Sequence, residues 1–538
     1  MRRYGVFSAA IFAVLVCALV GGLFGRSALA TGDRLPDYRV FTSALGAIEA
    51  NYIDKVDSAR LVYGAIGGML QTLDPHSSFM DPRTYAQMRE RQEGHYYGLG
   101  ITIQVRDGDI TVVSIFEGTP AYRKGIRQGD IIARIAGEDA KGWTSDQALK
   151  KLRGPKGTLV RVSLKRPGYD RLIDMEVPRD EINIPTITAA FKIDPQTGYV
   201  RLQDFAENTD ADLSKALGEL KASGMKRLIL DIRSNPGGPL DQAIRVSNRF
   251  LPQGALIVST RGRVQNSDQD YVATERSDYT DIPLVVLVNR NSASASEIVS
   301  GALQDHDRAL IVGERTFGKA LVQSVYHISE DAGLALTTAR YYTPSKRLIQ
   351  RPWDGTFDEY FSYTLRDQTA SPHKASDLRF TDAGRKVYSG GGIEPDRRVD
   401  GPVEGFNPGP FGRALYARQV FGTYAERFAA EGDNRVAPRP DQKRLAPSFV
   451  VDDAMLADFK SFLVSTKVKV DDEDVAKDAE FIRAMIHYEI DSALWGLSEA
   501  RRNLLTKDPQ ALAALQAFPE AERLNELRRS KSLTPVGR

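Results

Sequence analysis

Cysteine is all but missing from this 538-residue chain: the single one, Cys17, lies in an N-terminal apolar stretch. The remainder can form no disulfide, and cysteine usage points to no compartment. The six histidines are scattered, and no cysteine or histidine cluster has the spacing of a metal site. No metal and no cofactor is implied. An excess of charge is missing too, since 72 Lys and Arg against 70 Asp and Glu leave +2. That balance offers no footprint for nucleic acid and no acidic tail. An apolar run long enough to cross a bilayer occurs at residues 6–24, roughly nineteen residues as a helix. Arg2 and Arg3 precede it, and Ala28-Leu29-Ala30 follows as an A-x-A cleavage pattern. A cleaved export signal and a retained inner-membrane anchor both stay open for residues 1–30. Either way the rest belongs outside the cytoplasm, in the periplasm or another extracytoplasmic space. Val16 before Cys17 argues against lipidation, which wants a small residue there.

The length allows about three or four domains, and one stretch organises them. Leu284-Val285-Val286-Leu287-Val288 is a continuous apolar run that reads as a strand buried on both faces. Asn289-Arg290-Asn291 reads as a turn, and SASASE, residues 292–297, opens an amphipathic helix carrying Ile298, Val299 and Leu303. A second buried strand covers residues 309–313, and Thr316-Phe317-Gly318-Lys319-Ala320-Leu321-Val322-Gln323 follows. A strand, sharp turn and helix start favour a nucleophile, because the first helical N–H groups lack partners and the helix dipole favours developing negative charge. A serine there needs a base, and no histidine sits in a motif. Lys319 does, with Gln323 four residues on; a lysine kept from water has a lowered pKa and can accept a serine proton. Taken singly, SASASE reads equally as a helix N-cap with Glu297 completing a capping box, and GERTFGK as a turn.

Taken together and in order, these pieces resemble the carboxyl-terminal processing peptidases, or tail-specific proteases. That family shows a buried strand, then SASASE, then QD (here Gln304-Asp305), then GE-x-TFGK-x-x-VQ (here residues 313–323). The resemblance spans roughly residues 37–396. It implies Ser294 as nucleophile, Lys319 as general base and Gln323 as the residue orienting the lysine. It further implies an oxyanion hole from the N–H of Ala295 and that of a glycine in Arg233-Ser234-Asn235-Pro236-Gly237-Gly238, with Gly238 preferred over Gly237. Ala320 departs from the family, where glycine is usual; its methyl removes no catalytic group but could restrict the lysine loop.

Residues 94–180 read as a compact β-rich module. Gly98-Leu99-Gly100-Ile101 leads into a strand, Asp107-Gly108-Asp109 is a hairpin signal, and A-x-x-x-G-I-x-x-G-D-I-I fills residues 121–132. The order resembles a PDZ domain, in which a peptide adds a strand and loop N–H groups hold its terminal carboxylate. Gly98, Leu99, Gly100 and Ile101 would form that loop. Residues 31–93 read as an N-terminal helical region broken by Asp74-Pro75-His76-Ser77-Ser78, a turn rather than a catalytic pair. Residues 181–400 alternate strand and helix, which points to an α/β layer; the resemblance implies that they form the peptidase core, with layers of the crotonase and Clp kind. The strand expected within residues 336–345 offers an edge for substrate. Gly390-Gly391-Gly392-Ile393-Glu394-Pro395-Asp396 resembles the family's GGGI-x-PD. Residues 401–538 read as a Pro- and Gly-rich linker and three helices, one with Phe481, Ile482, Met485, Ile486, Ile490 and Leu494 on a core face. An interaction arm and a packing appendage remain equal readings there.

The fold class expected is therefore α+β and multidomain: N-terminal helices, a PDZ domain ahead of an α/β peptidase core, and a helical C-terminal extension. The resemblance implies a serine endopeptidase that takes proteins by their C-terminal tails. Its relatives act on cell-envelope proteins, some through a lipoprotein adaptor, and some pair subunits through the N-terminal helices. Two rivals stand beside it. One is a PDZ binding protein with a degenerate core, for which Ala320 is the only support. The other is a trypsin-like serine protease, for which His76, His95, His306, His327, His373 and His487 supply no persuasive histidine; His306, between two aspartates at a helix end, reads as a surface residue.

Overall fold

The computed structural model describes residues 35–166, 169–328, 331–365, 373–428, 445–446 and 448–532. The signal or anchor expected at residues 1–30 lies outside them. The chain divides into two units, residues 1–81 and 82–538. In the first, helices Leu35–Asn51 and Ser58–Gln71 precede a turn. Asp57 caps the second helix by accepting from the N–H groups of Ala59 and Arg60. The turn is organised by Asp74, whose carboxylate accepts from the N–H of His76, the N–H of Ser77 and the Ser77 hydroxyl at 2.7–2.8 Å. The Ser77 hydroxyl thus serves the turn.

The second unit opens with helix Pro82–Glu93 and the β-rich module. An antiparallel sheet runs in the order Ile101–Arg106, Asp109–Ile115, Ile131–Ile135, Leu159–Lys165, Ile173–Pro178. Asp107 and Gly108 both take positive φ, 52° and 78°, as a tight hairpin matched to strand twist requires. Helix Ser145–Leu152 is opened by a reciprocal box between Thr144 and Gln147.

The catalytic layer is a six-stranded sheet ordered Ile187–Lys192, Thr197–Leu202, Arg227–Asp231, Leu284–Val288, Leu310–Gly313, Arg397–Arg398. Its first pair is antiparallel and the rest are parallel. The unbroken apolar runs follow from burial on both faces. Leu228, Leu230, Leu284, Val286 and Val288 face helices Thr209–Ala222, Leu240–Asn248 and Ala295–Asp305. Ile229, Val285 and Leu287 face the other way, onto Ala511, Ala514, Ala517, Phe518 and Ala521 near the C-terminus. The extension is therefore part of the core, which decides between arm and appendage. Among the described residues it holds eight α-helices rather than three: residues 410–417, 420–425 and 472–477 form short ones that lack a full periodic stripe, and residues 479–532 are broken into four, at Gly496, Asp508 and Ala517. The face read from Phe481, Ile482, Met485, Ile486 and Ile490 is buried in a cluster of its own.

A second, antiparallel sheet carries the lysine segment. Strand Gly333–Tyr342 pairs with Leu321–His327 along most of its length and with Leu256–Gly262 at residues 339–342. The edge expected there for substrate is therefore occupied. Among the described residues, Leu321–His327 pairs on one side only, and it begins two residues after Lys319. His306 also differs from its surface reading: its ring bonds the Asp382 carboxylate at 2.7 Å and the Leu256 carbonyl at 2.6 Å. Both partners accept, so the clasp favours the imidazolium, and His306 titrates above its ordinary range although burial opposes this.

Candidate active site

The parallel strands Arg227–Asp231 and Leu284–Val288 end side by side, and the turns leaving them carry the site, as expected beyond the carboxyl ends of such strands. The serine helix starts at Ala295, three residues later than the sequence suggests. Ser292 is tied to the turn instead: its hydroxyl accepts from the N–H of Asn289 and donates to the Ile232 carbonyl. Ser294 precedes the helix with φ 54° and ψ −113°, a conformation that costs an ordinary residue on the order of 1–3 kcal/mol and persists where surroundings impose it. The Ala295 N–H follows at the first helical position, unclaimed by the helix ladder.

Glu297 imposes much of the Ser294 conformation. The side chain is fully buried. Its Oε2 accepts from the N–H of Ser294 and the N–H of Lys319, both at 2.9 Å. Its Oε1 accepts from the Thr316 hydroxyl at 2.5 Å and the Gly318 N–H at 2.7 Å. A single carboxylate oxygen thus bridges the backbones of Ser294 and Lys319. Burial pushes the carboxyl above its usual range, and the four donors pull against it. Two further links join the same segments: the Phe317 N–H donates to the Ser292 carbonyl at 3.0 Å, and the Tyr341 hydroxyl reaches the carbonyls of Lys319 at 2.7 Å and Ser294 at 3.2 Å. Lys319 Nζ donates to Gln323 Oε1 at 2.8 Å. A bulge between Val322 and Gln323 resets the strand's alternation there.

The glycine turn is fitted against the serine turn by Asn235. Its side chain donates to the Leu202 carbonyl and accepts from the N–H of Gly237, both at 2.9 Å. Its carbonyl accepts from the Ala293 N–H and the Ser296 hydroxyl, both at 3.0 Å. The Gly237 N–H is thereby engaged by the Asn235 side chain. Gly237 has φ 94°, and a Cβ on it would stand 2.8 Å from Ala293 O, Ala295 N and Ser294 Cβ; one on Gly238 would collide with the Phe205 carbonyl oxygen. Both positions therefore exclude a side chain. Gly238→Ala keeps the N–H, but its methyl would meet the Phe205 carbonyl and displace the turn; if that N–H serves the oxyanion, kcat is expected to fall by roughly 10²- to 10³-fold with KM nearly unchanged. A loss confined to KM would count against the donor role.

The remaining motifs prove to be braces. The Thr316 N–H donates to the Ile393 carbonyl of GGGI at 3.1 Å, and the Thr316 hydroxyl accepts from the Ile393 N–H at 2.7 Å. Asp396 accepts from the Ile311 N–H at 2.8 Å and from Gln304 at 3.1 Å. Asp305 accepts from both Ser345 groups and pairs with buried Arg347. Arg351 stacks on Phe317, Tyr360 and Tyr363 outside the lysine loop. Ala320 is fully buried in the core, and its N–H donates to Gln350 Oε1 at 2.8 Å; its methyl is packed. Sequence reasoning missed Tyr341 and Arg351 and saw Glu297 only as a helix cap; the glutamate of SASASE and the threonine of TFGK were the available signal. In the PDZ-like module, Leu99 and Ile101 are buried in its core. Gly100 takes φ 84°, and its carbonyl accepts from the Phe116 N–H at 2.9 Å. Gly98 ends strand His95–Gly98, which pairs with Asp180–Asn183.

Family models place this site in context. One for peptidase family S41 matches residues 196–356, one for the PDZ domain residues 87–165, and one for the N-terminal domain of the activating protease CtpB residues 28–84. The chain is thus a serine-type peptidase of mixed helices and sheets with a PDZ domain. It is 42% identical over 308 residues to a carboxy-terminal-processing protease of Bartonella bacilliformis, covering 56% of this chain and 70% of that one. It is 33% identical over 349 residues to the carboxy-terminal processing protease CtpA of Bacillus subtilis, covering 64% and 74%. The chain belongs to the carboxy-terminal processing proteases. A solved photosystem II D1 C-terminal processing protease is 29% identical over 68% of this chain and 93% of its own, with a TM-score of 0.34.

Proposed function

We propose that this protease is exported, takes envelope proteins by their C-terminal tails and cleaves them with a dyad of Ser294 and Lys319. The observation that carries the reading is the Glu297 carboxylate, which holds the backbones of Ser294 and Lys319 through one oxygen. Lys319, as the neutral amine, takes the proton from Ser294 Oγ as that oxygen bonds to the scissile carbonyl carbon. The resulting oxyanion lies before the N–H groups of Ala295 and Gly238. Lys319 then gives its proton to the departing amine, and water releases the acyl group from Ser294. Gln323 steadies the lysine through its carbonyl oxygen. The PDZ domain supports capture of tails, with the loop Gly98, Leu99, Gly100 and Ile101 on the carboxylate. Export, the inner membrane as a site of anchoring, a lipoprotein adaptor and pairing through the N-terminal helices belong to the same proposal; export rests on Arg2, Arg3 and the apolar residues 6–24.

The test uses the full chain and its Ser294→Ala variant. Each is incubated with an unfolded protein ending in apolar residues and with the same protein ending in charged ones, and fragments are followed by mass spectrometry. Cleavage by the parent alone, faster on the apolar tail, is expected. Equal cleavage by both proteins would remove Ser294 from the mechanism, and indifference to the tail would remove the tail-capturing role of the PDZ domain.

A further inference from the structure

Arg233 stands at the start of the glycine turn, five residues before Gly238, and is buried. Its guanidinium is held from two sides. On one side Asp231, at the end of its strand, accepts from Arg233 Nε at 3.0 Å and Nη2 at 2.6 Å. The same carboxylate also takes Arg201 at 3.0 Å and the Tyr199 hydroxyl at 2.7 Å. On the other side, Nη1 meets Asp508 at 2.8 Å and Gln510 Oε1 at 3.0 Å. These two residues come from the C-terminal extension, 277 positions away for Gln510.

The far side of this grip is itself fixed. Asp508 caps helix Pro509–Gln516, its Oδ1 accepting from the N–H groups of Gln510 and Ala511. Gln510 also donates to the Val399 carbonyl at 2.7 Å. Both are fully buried. Residues 401–405 run across the pair so closely that a Cβ on Gly405 would collide with Asp508 and one on Gly401 with Gln510. Arg501 and Glu404 close the network at 2.7 Å, so three arginines face three carboxylates. Beyond Arg233 the chain has no slack: Ser234 takes φ 58° with its N–H on Asn289, and Asn235 already binds the serine turn.

We propose that Asp508 and Gln510 are positioning residues for the reaction, and that the C-terminal extension aligns the oxyanion turn by gripping Arg233. This rests on the oxyanion-hole reading given above. A charge-bearing residue buried against Arg233 from the extension fixes where Gly238 N–H points.

The experiment uses the full chain with Asp508→Asn, which keeps the helix-capping oxygen, and separately Gln510→Met, which keeps the length. Four quantities are measured: kcat per active site titrated with a fluorophosphonate, KM, inhibition by a peptide aldehyde that forms a hemiacetal oxyanion on the serine, and affinity for a tail peptide. A misplaced oxyanion donor predicts a fall in kcat of roughly ten- to a hundredfold. Aldehyde affinity should fall in parallel, while KM and tail-peptide affinity stay within about twofold. A merely structural role would lower the titrated fraction and leave kcat per site and aldehyde affinity unchanged, and that result overturns the proposal. If Asp508→Asn does not fold, Gln510→Met decides by the same criteria. Failure of the dyad reading would show differently, as activity retained by Ser294→Ala.

Discussion

Replacing Lys319 by alanine is expected to lower kcat by roughly 10⁴- to 10⁶-fold, the range seen when a member of a serine-protease constellation is removed. The reason is that Glu297 joins the backbone of Ser294 to that of Lys319, which makes Lys319 the base this geometry offers. Two of the six histidines are engaged elsewhere: His306 clasps Asp382 and Leu256, and His487 sits on Asp491 in the C-terminal cluster. Glu297 is saturated by four donors. Lys319→Arg should not rescue activity, because guanidinium does not give up its proton in proteins and cannot act as a base. Neither change touches the PDZ domain, so the affinity for a tail peptide should be unaltered. Full turnover by Lys319→Ala would exclude the dyad.

The second large effect belongs to Glu297→Ala. Three main-chain N–H groups and the Thr316 hydroxyl lose their only described acceptor in a dry site, and each unsatisfied donor costs about 1–3 kcal/mol. The costs are not additive, since the loop can relax toward water. The net loss is therefore expected at about 3 kcal/mol or more, which a denaturant titration would read as a lower midpoint at constant slope. Catalysis should suffer separately. Of the links described above between the Lys319 loop and the serine turn, those of Phe317 and Tyr341 would remain, and a misplacement near 1 Å costs roughly a hundredfold in rate. Glu297→Gln keeps one acceptor oxygen but turns an NH₂ group against two donors, so it should fall between. A Glu297→Ala enzyme with parental kcat would show that the two turns are aligned without this carboxylate.

What the sequence disclosed depended on whether the signal was local. Leu284 to Val288 announced a strand buried on both faces, and the order of SASASE, QD and TFGK placed serine, lysine and glutamine in one family pattern. The same residues could not show what Glu297 does, since a capping box and a bridge to the lysine loop begin with the same glutamate and differ only in what arrives 19 to 22 residues later. His306 misled because two flanking aspartates suggest solvent, whereas its partners are Asp382 and the Leu256 carbonyl. The C-terminal helices were hardest. The small residues Ala511, Ala514, Ala517 and Ala521 have the spacing of a helix face, but that they cover Ile229, Val285 and Leu287 is a long-range fact. So is the grip of Asp508 on Arg233, because nothing in a helix cap advertises a second, distant partner.

The account turns on a covalent bond between the substrate's acyl group and Ser294. A slowly deacylating peptide ester mixed with the full chain, quenched in acid within milliseconds and digested, locates that bond by mass spectrometry. The expected result is an acyl increment on the peptide containing Ser294, formed rapidly by the parent and at least about a thousandfold more slowly by Lys319→Ala. An increment on any other residue, or acylation of Ser294 at the same rate without Lys319, would contradict it.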